Sequence, residues 1–187
     1  MIDRAGRTII KVAAVCGGAA SGFVLLQAAM RSAETHSALW LIRLRAPHSV
    51  LAIASTTVLI VPRHQAAFDV LITPSCSSLA SLLAFGCLAP FMPRCELRRR
   101  VLAAGTAGIV IWVGNVLRIA GSIGIGLLAG RASLVLFHDW VGSMFTFVYT
   151  MGGYILMLTM LLPRSSAEYS AATPPRLVPA AQPEVAW

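Results

Sequence analysis

The chain of 187 residues is 57% hydrophobic and only 12% charged, whereas soluble globular domains contain roughly 25% charged residues. This composition excludes an ordinary soluble enzyme and indicates a membrane protein built from spans of about 20 apolar residues. The formal net charge of +8 would suggest nucleic acid in a soluble protein, but in a membrane protein it more often reports topology. No nucleic-acid partner is therefore predicted, whereas membrane lipids are.

The first apolar segment, residues 12–30, has no charged residue and follows three basic ones. It exceeds the roughly 7–15 apolar residues of a signal-peptide core, which favours an uncleaved membrane anchor over residues 1–30, with a cleaved signal peptide as the alternative. Residues 31–75 then form an extracytoplasmic segment.

Two stretches of that segment have the β-branched and aromatic residues of strands. The first contains Thr56, Val58 and Ile60, and the second contains Phe68, Val70 and Ile72. They predict a small β-hairpin with Arg63, His64 and Gln65 in its turn. Residues 49–62 are also apolar, so a further span there is the alternative, although 14 residues are short for one.

Two charge-free runs predict the second and fourth spans. The second covers residues 70–92, and its helix is expected to begin near Pro74 because proline is tolerated in a first helical turn. The fourth covers residues 140–162. The tail at 163–187 is rich in proline and alanine and is predicted to be disordered.

The third run opens at residue 101 and is interrupted by Arg118. Four glycines follow, and they predict that its second half is bent or re-entrant. Their positions are 121, 124, 126 and 130.

The distribution of Lys and Arg sets the predicted orientation. Nine lie in the N-terminus, the 94–100 loop and the tail, against five in residues 31–69 and at Arg131. This bias places both termini in the cytoplasm. The predicted fold is an all-α polytopic protein of the cell membrane, with about four transmembrane helices, a small hairpin before the second, and a catalytic core over residues 76–162.

Three reactive residues fall at one predicted membrane depth. Arg118 lies 17 residues after Val101, about 26 Å along a hydrocarbon core near 30 Å thick, and so close to the outer boundary. Cys76 opens the second span, and His138 precedes the fourth, at the same boundary. Taken singly, each has a structural explanation: helix packing for Cys76, snorkelling for Arg118 and capping for His138.

Together the three supply the groups needed for nucleophilic acyl transfer outside the cytoplasm. Cys76 is the predicted nucleophile, which reacts as thiolate. His138 takes its proton and returns it to the leaving amine. Arg118 is expected to hold the oxyanion or the substrate carbonyl, with Asn115 on the same helical face orienting either partner.

These residues resemble the exosortase/archaeosortase family of integral membrane cysteine enzymes. The matching pieces are Thr73-Pro74-Ser75-Cys76-Ser77-Ser78, then Asn115-Val116-Leu117-Arg118, then Phe137-His138-Asp139-Trp140. The similarity covers roughly residues 50–162. Many members have Ser-Gly after the cysteine where this chain has Ser77-Ser78, and longer members have several more spans.

The resemblance implies a transpeptidase-like protease that cleaves C-terminal sorting signals of exported proteins, each composed of a short motif, a transmembrane helix and a basic tail. Cys76, Arg118 and His138 then carry the catalytic roles. Asn115, Ser77 and Asp139 are predicted to support them. No cofactor is expected, and no metal-ligand spacing such as CxxC or HExxH is present.

Two other hypotheses are compatible with the sequence. In a non-enzymatic scaffold or assembly subunit, the three residues would pack or hydrogen-bond between spans. In a small transporter, the polar residues should lie near the bilayer midplane, whereas these are predicted at its edge.

Overall fold

The computed structural model describes residues 4–62, 65–88 and 96–162. In these ranges the chain is mostly helical. The helices are α1 (Arg4–Arg43), α2 (Leu79–Leu88), α3 (Leu97–Leu136) and α4 (Gly142–Leu161). A small antiparallel sheet contains β1 (Val50–Ala52), β2 (Thr57–Ile60) and β3 (Phe68–Leu71). The predicted tail, Arg94 of the basic loop, and Arg63 and His64 of the predicted turn lie outside the described residues, whereas residues 98–100 of that loop lie in the first turn of α3.

Two helical stretches are long and apolar enough to cross a membrane, Ile9–Arg43 and the run Leu97–Leu161. With 40 residues, α1 is about 60 Å long, roughly twice the thickness of the hydrocarbon core. It continues without a break past residue 30, where the sequence predicted the end of the anchor. The described part of α2 has only 10 residues. Four spans and their sidedness therefore stay predictions.

The chain turns back on itself within the run Leu97–Leu161. At Gly130 the backbone has φ +83°, a left-handed conformation that favours glycine, and the residues after it return alongside those before it. Arg99 near one end of α3 accordingly donates hydrogen bonds to the carbonyls of Met160 and Leu162 at the end of α4. The predicted bend is found at the last of the four glycines, Gly130, whereas the helix stays regular through Gly121, Gly124 and Gly126.

The predicted hairpin is confirmed and is part of a larger sheet. β2 pairs antiparallel with β3, with Val58 opposite Val70 and Ile60 opposite Phe68. A third strand that the sequence did not predict, β1, pairs with the other edge of β2. The alternative of a span over residues 49–62 is wrong, because these residues contain two short strands.

Two hydrophobic clusters lie along α3. One joins α3 to the C-terminal part of α1 and to the sheet, with Leu39, Val58 and Ile123 at its centre. The other joins α3 to α2 and α4, around Ile111 and Met157. Asn115 and Arg118 lie on α3 between the two clusters and are both buried. This junction is where the polar residues of the sequence motifs meet the other helices.

Candidate active site

Cys76 ends a short 3₁₀ turn, Pro74–Cys76, just before α2. Pro74 favours such a turn because its φ is fixed near the helical value. After Cys76, the hydroxyl of Ser77 accepts a hydrogen bond from the Leu79 amide at 3.3 Å. Ser77 therefore supports the start of α2 and makes no contact with the sulfur among the described residues.

The turn is also held from the side of α1. The fully buried carboxylate of Glu34 accepts hydrogen bonds from the Ser78 amide at 3.0 Å and from the Ser78 hydroxyl at 2.5 Å. Charge-assisted bonds of this kind are about twice as strong as neutral ones. The backbone that follows Cys76 is thus fixed to α1, which limits where the thiol can move.

His138 lies beside the thiol, in a π-helical segment (Phe137–Val141) between α3 and α4. Its Nε2 is 3.4 Å from the Cys76 sulfur, and its Nδ1 is 3.3 Å from the Ser122 hydroxyl. Ser122 donates its only proton to the Arg118 carbonyl at 2.9 Å, so towards His138 it acts as an acceptor. This arrangement suits the tautomer of neutral His138 with its proton on Nδ1, in which Nε2 can accept the proton of the thiol.

Arg118 and Asn115 both bind the backbone of Cys76. Arg118 Nη2 and Asn115 Nδ2 each donate to the Cys76 carbonyl oxygen at 2.9 Å. Arg118 Nε donates to the Asn115 side-chain oxygen at 3.1 Å. The third guanidinium nitrogen, Nη1, bonds to none of the described residues. The predicted contact of Arg118 with an oxyanion or a substrate carbonyl stays a prediction.

Tyr149 of α4 completes this network. Its hydroxyl lies 3.2 Å from the Asn115 side-chain oxygen. The ring reaches this position because Gly114 has no side chain: a Cβ there would lie 2.6 Å from Cγ of Tyr149. The close approach of α3 and α4 thus fixes the amide orientation of Asn115, so that its nitrogen points to Cys76.

The environment of Cys76 favours the thiolate. Burial raises the pKa of the thiol, but hydrogen bonds with His138 and Thr73 and the charge of His138 outweigh it and lower the pKa to about 7. The Thr73 hydroxyl is 3.2 Å from the sulfur. Cys76 lies outside the two membrane-spanning candidates and is only half-buried, so a substrate can reach it.

Alkylation by iodoacetamide should report this pKa, because the thiolate is the reactive form. In a variant that retains Cys76 as its only cysteine, we expect the alkylation rate to rise with pH with a midpoint near 7, instead of about 8.5 for an ordinary thiol. The measurement is the rate between pH 5 and 10, followed by mass spectrometry, over the range in which the fold is retained. A midpoint at or above the ordinary value contradicts the prediction.

Arg118→Lys should lower activity without changing that midpoint. Arg118 reaches Asn115 and the Cys76 carbonyl from two separate nitrogens, whereas the donors of a lysine all sit on one nitrogen and lack this planar fork. A hydrogen bond to a charged group contributes about 1.5–3 kcal/mol, which corresponds to roughly a tenfold to hundredfold loss of kcat/KM. The midpoint of Cys76 alkylation should stay the same, since Arg118 binds the carbonyl and not the sulfur. Arg43→Lys, at an exposed position of α1, is the control. A shifted midpoint would mean that the site itself has been displaced.

The structure brings together most of the residues singled out from the sequence. Cys76, Asn115, Arg118 and His138 form one hydrogen-bonded group. Asp139 does not join it: its carboxylate bonds to no described residue, and its backbone carbonyl accepts from Ser143.

Sequence reasoning missed Thr73, Ser122 and Tyr149. Ser122 follows Arg118 by four residues, and this helical spacing, which places both on one face, is a signal that would have found it. Thr73 belongs to the motif around Cys76. Tyr149 carries no local signal, because its role depends on how α3 packs against α4.

A cavity of about 380 Å³ opens at the sulfur. One side is lined by residues from Asp69 to Thr73, and the other by residues of the segment 131–139, including Leu134, Val135 and His138. Ile119 and Ile123 of α3 lie between the two sides. The thiol and the imidazole thus face a largely apolar groove.

Comparison with known proteins adds one finding. The family model described as transmembrane exosortase matches residues 52–156, more than half of the chain and all of the residues around the thiol. No curated protein and no solved structure matches the chain.

Proposed function

Because the chain belongs to the transmembrane exosortase family, we propose that it is a membrane-embedded cysteine protease or transpeptidase. Its substrates are exported proteins with a C-terminal motif, a transmembrane helix and a basic tail, and it cleaves them through a thioester on Cys76. The catalytic groups are Cys76 and His138, with Arg118 as the third. The observation that carries the proposal is the 3.4 Å contact between the Cys76 sulfur and Nε2 of His138.

In the first half of the reaction, Nε2 of His138 takes the thiol proton and the sulfur attacks the scissile carbonyl carbon. The oxygen of the tetrahedral intermediate carries the negative charge that Arg118 Nη1 is suited to stabilise. As the carbon–nitrogen bond breaks, the proton on Nε2 passes to the leaving amine. The C-terminal helix and tail depart, and the exported part remains as a thioester on Cys76.

In the second half, water or an acceptor amine attacks the thioester while Nε2 accepts its proton. The carbon–sulfur bond breaks, and the sulfur recovers a proton from His138. Ser122 keeps Nδ1 as a donor throughout, since its own proton is bound to the Arg118 carbonyl. Asn115 and Arg118 hold the Cys76 backbone while the sulfur changes its bonding.

The proposed site lies on the extracytoplasmic face of the cell membrane, in a multi-pass protein. Support comes from the excess of basic residues in the N-terminus, the 94–100 loop and the tail. The half-buried thiol at the mouth of a groove also suits a substrate that leaves the membrane beside it.

The test is trapping of the covalent intermediate. The enzyme is co-expressed with an exported protein that has the C-terminal motif, helix and basic tail, and the cells are quenched in acid. We expect a shortened protein and an enzyme adduct of matching mass that hydroxylamine releases, as it does thioesters. The same substrate truncated before its motif is the control. Absence of cleavage contradicts the proposed function, and cleavage without a hydroxylamine-sensitive adduct contradicts the thioester.

A further inference from the structure

β3 is the outermost strand of the described sheet, and its free edge borders the cavity. The strand order is β1-β2-β3, so β3 pairs on one side only. The Ile72 amide donates to the Thr56 carbonyl at 2.9 Å. In an antiparallel pair the backbone groups of alternate residues point to the partner strand, so the residues in register with Ile72, namely Phe68 and Val70, also point to β2.

The backbone groups of Asp69 and Leu71 consequently point away from β2, along the wall of the cavity. Their side chains are exposed, with Leu71 at 60%, whereas Ile72 is buried. Unpaired edges of this kind tend to recruit another strand and are usually covered in native proteins. Among the described residues, nothing covers this one.

We propose that the substrate segment next to the scissile bond binds as an added strand on the edge of β3. The backbone of this segment exchanges hydrogen bonds with Asp69 and Leu71. The added strand thereby delivers the scissile carbonyl to Cys76, which lies five residues after Leu71 in the enzyme. This inference rests on the proposed function and names how the same site holds its substrate.

The composition of the cavity identifies the occupant as an extended polypeptide with apolar side chains. Ile119, Ile123, Leu134 and Val135 form the surface that faces β3. In β-strand addition, main-chain hydrogen bonds provide affinity and pockets for alternate side chains provide specificity. The charged residues at the cavity are Asp69, Arg131 and Asp139.

Leu71→Pro tests how much the free edge of β3 contributes to substrate cleavage. Leu71→Pro removes an amide that points away from β2 and is compatible with an edge strand, where proline is tolerated. Leu71→Ala shortens the same side chain but keeps the amide. We expect cleavage of the tail-bearing substrate by L71P to be roughly twofold to tenfold slower than by L71A, in line with the loss of one backbone hydrogen bond.

Two measurements separate this effect from damage to the fold. Ala52→Pro removes an outward amide at the opposite edge of the sheet, on β1, and should cleave as the wild type does. The rate of Cys76 alkylation by iodoacetamide should be equal in L71P and L71A. Should L71P change that rate, Asp69→Pro, which removes the neighbouring outward amide, takes its place.

The outcomes are distinguishable. If the wild type cleaves and L71P cleaves as fast as L71A, strand addition is wrong while the proposed function stands. If L71P instead converts a detergent-solubilised dimer to a monomer at unchanged cleavage, the edge holds a second copy of the chain, which also overturns the inference. If the wild type does not cleave, the proposed function fails, and this inference fails with it.

Discussion

Cys76→Ala should abolish cleavage of a co-expressed tail-bearing protein, while the variant still accumulates in the membrane. The side chain lost is the only group at the site able to form the thioester, and removal of a catalytic nucleophile typically costs roughly 10⁴-fold or more in kcat. The fold should survive because the turn is held by other bonds. These are the hydrogen bonds of the Cys76 carbonyl to Asn115 and Arg118, and of Ser78 to Glu34.

Cys87→Ala is the matched control for this substitution. Cys87 is a partly buried free thiol of α2, further along the chain than Cys76, and it contacts none of the residues of the site described above. The measurement is the ratio of cleaved to intact substrate by immunoblot at equal enzyme level. We expect the C87A ratio to match the wild type and the C76A ratio to match cells that lack the enzyme.

Cys76→Ser separates the enzyme from the scaffold hypothesis. A hydroxyl is a far weaker nucleophile than a thiolate, and one imidazole without a third ionised group activates it poorly. The enzyme hypothesis therefore expects a loss close to that of C76A. A scaffold, in which Cys76 only packs or hydrogen-bonds, should tolerate the change. Cleavage by C76S at the wild-type rate contradicts the proposed nucleophile.

The β2–β3 hairpin and the proximity of Cys76, Arg118 and His138 are features that the sequence alone predicts. Alternation of β-branched and aromatic residues predicts β2 and β3, because side chains of a strand alternate between two faces. Span lengths predict that Arg118 lies at the depth of Cys76 and His138, because a helix rises by 1.5 Å per residue, and the structure brings the three residues together. The first inference depends on the local periodicity of the sequence. The second depends on the number of residues between two points and on the known thickness of a membrane.

Other features depend on contacts between distant elements and leave little trace in the sequence. The glycines of α3 suggest a bend, but in the structure Gly126 lets Leu134 pack closely: a Cβ at this position would lie 2.7 Å from that side chain. Only Gly130 serves as the turning point. In the sequence, Glu34 is one charged residue of the predicted extracytoplasmic segment, and it becomes a buried acceptor only because Ser78 folds against it.

The role of Arg118 shows the same limit within the site. Its charge and depth mark it as functional from the sequence, and the helical spacing links it to Asn115. The sequence does not reveal that both donate to the carbonyl of Cys76, since that bond requires the turn before α2 to pack against the middle of α3. The position of Arg118 along α3 is predictable from the sequence, whereas its hydrogen-bond partner in the turn before α2 is not.

His138→Gln should produce two separate effects. Cleavage should fall by roughly 10²–10⁴-fold, the usual contribution of a general acid–base. The pH midpoint of Cys76 alkylation should also rise from about 7 towards the ordinary value of about 8.5. The reason is that the hydrogen bond and the charge of His138 are among the causes that hold the thiol pKa down. His48→Gln, at an exposed position after α1, is the control.

Ser122→Ala tests whether the tautomer of His138 matters. It removes the acceptor of the Nδ1 proton but leaves the imidazole beside the sulfur, so a smaller loss is expected, on the order of tenfold, with the ring free to flip or change tautomer. If H138Q loses cleavage while the alkylation midpoint stays near 7, His138 is not what activates the thiol. The other outcome is that both the cleavage rate and the alkylation midpoint change in H138Q, and that cleavage by S122A is intermediate between H138Q and the wild type. In that case Ser122 determines which imidazole nitrogen accepts the thiol proton, as a carboxylate or amide does in other cysteine and serine enzymes.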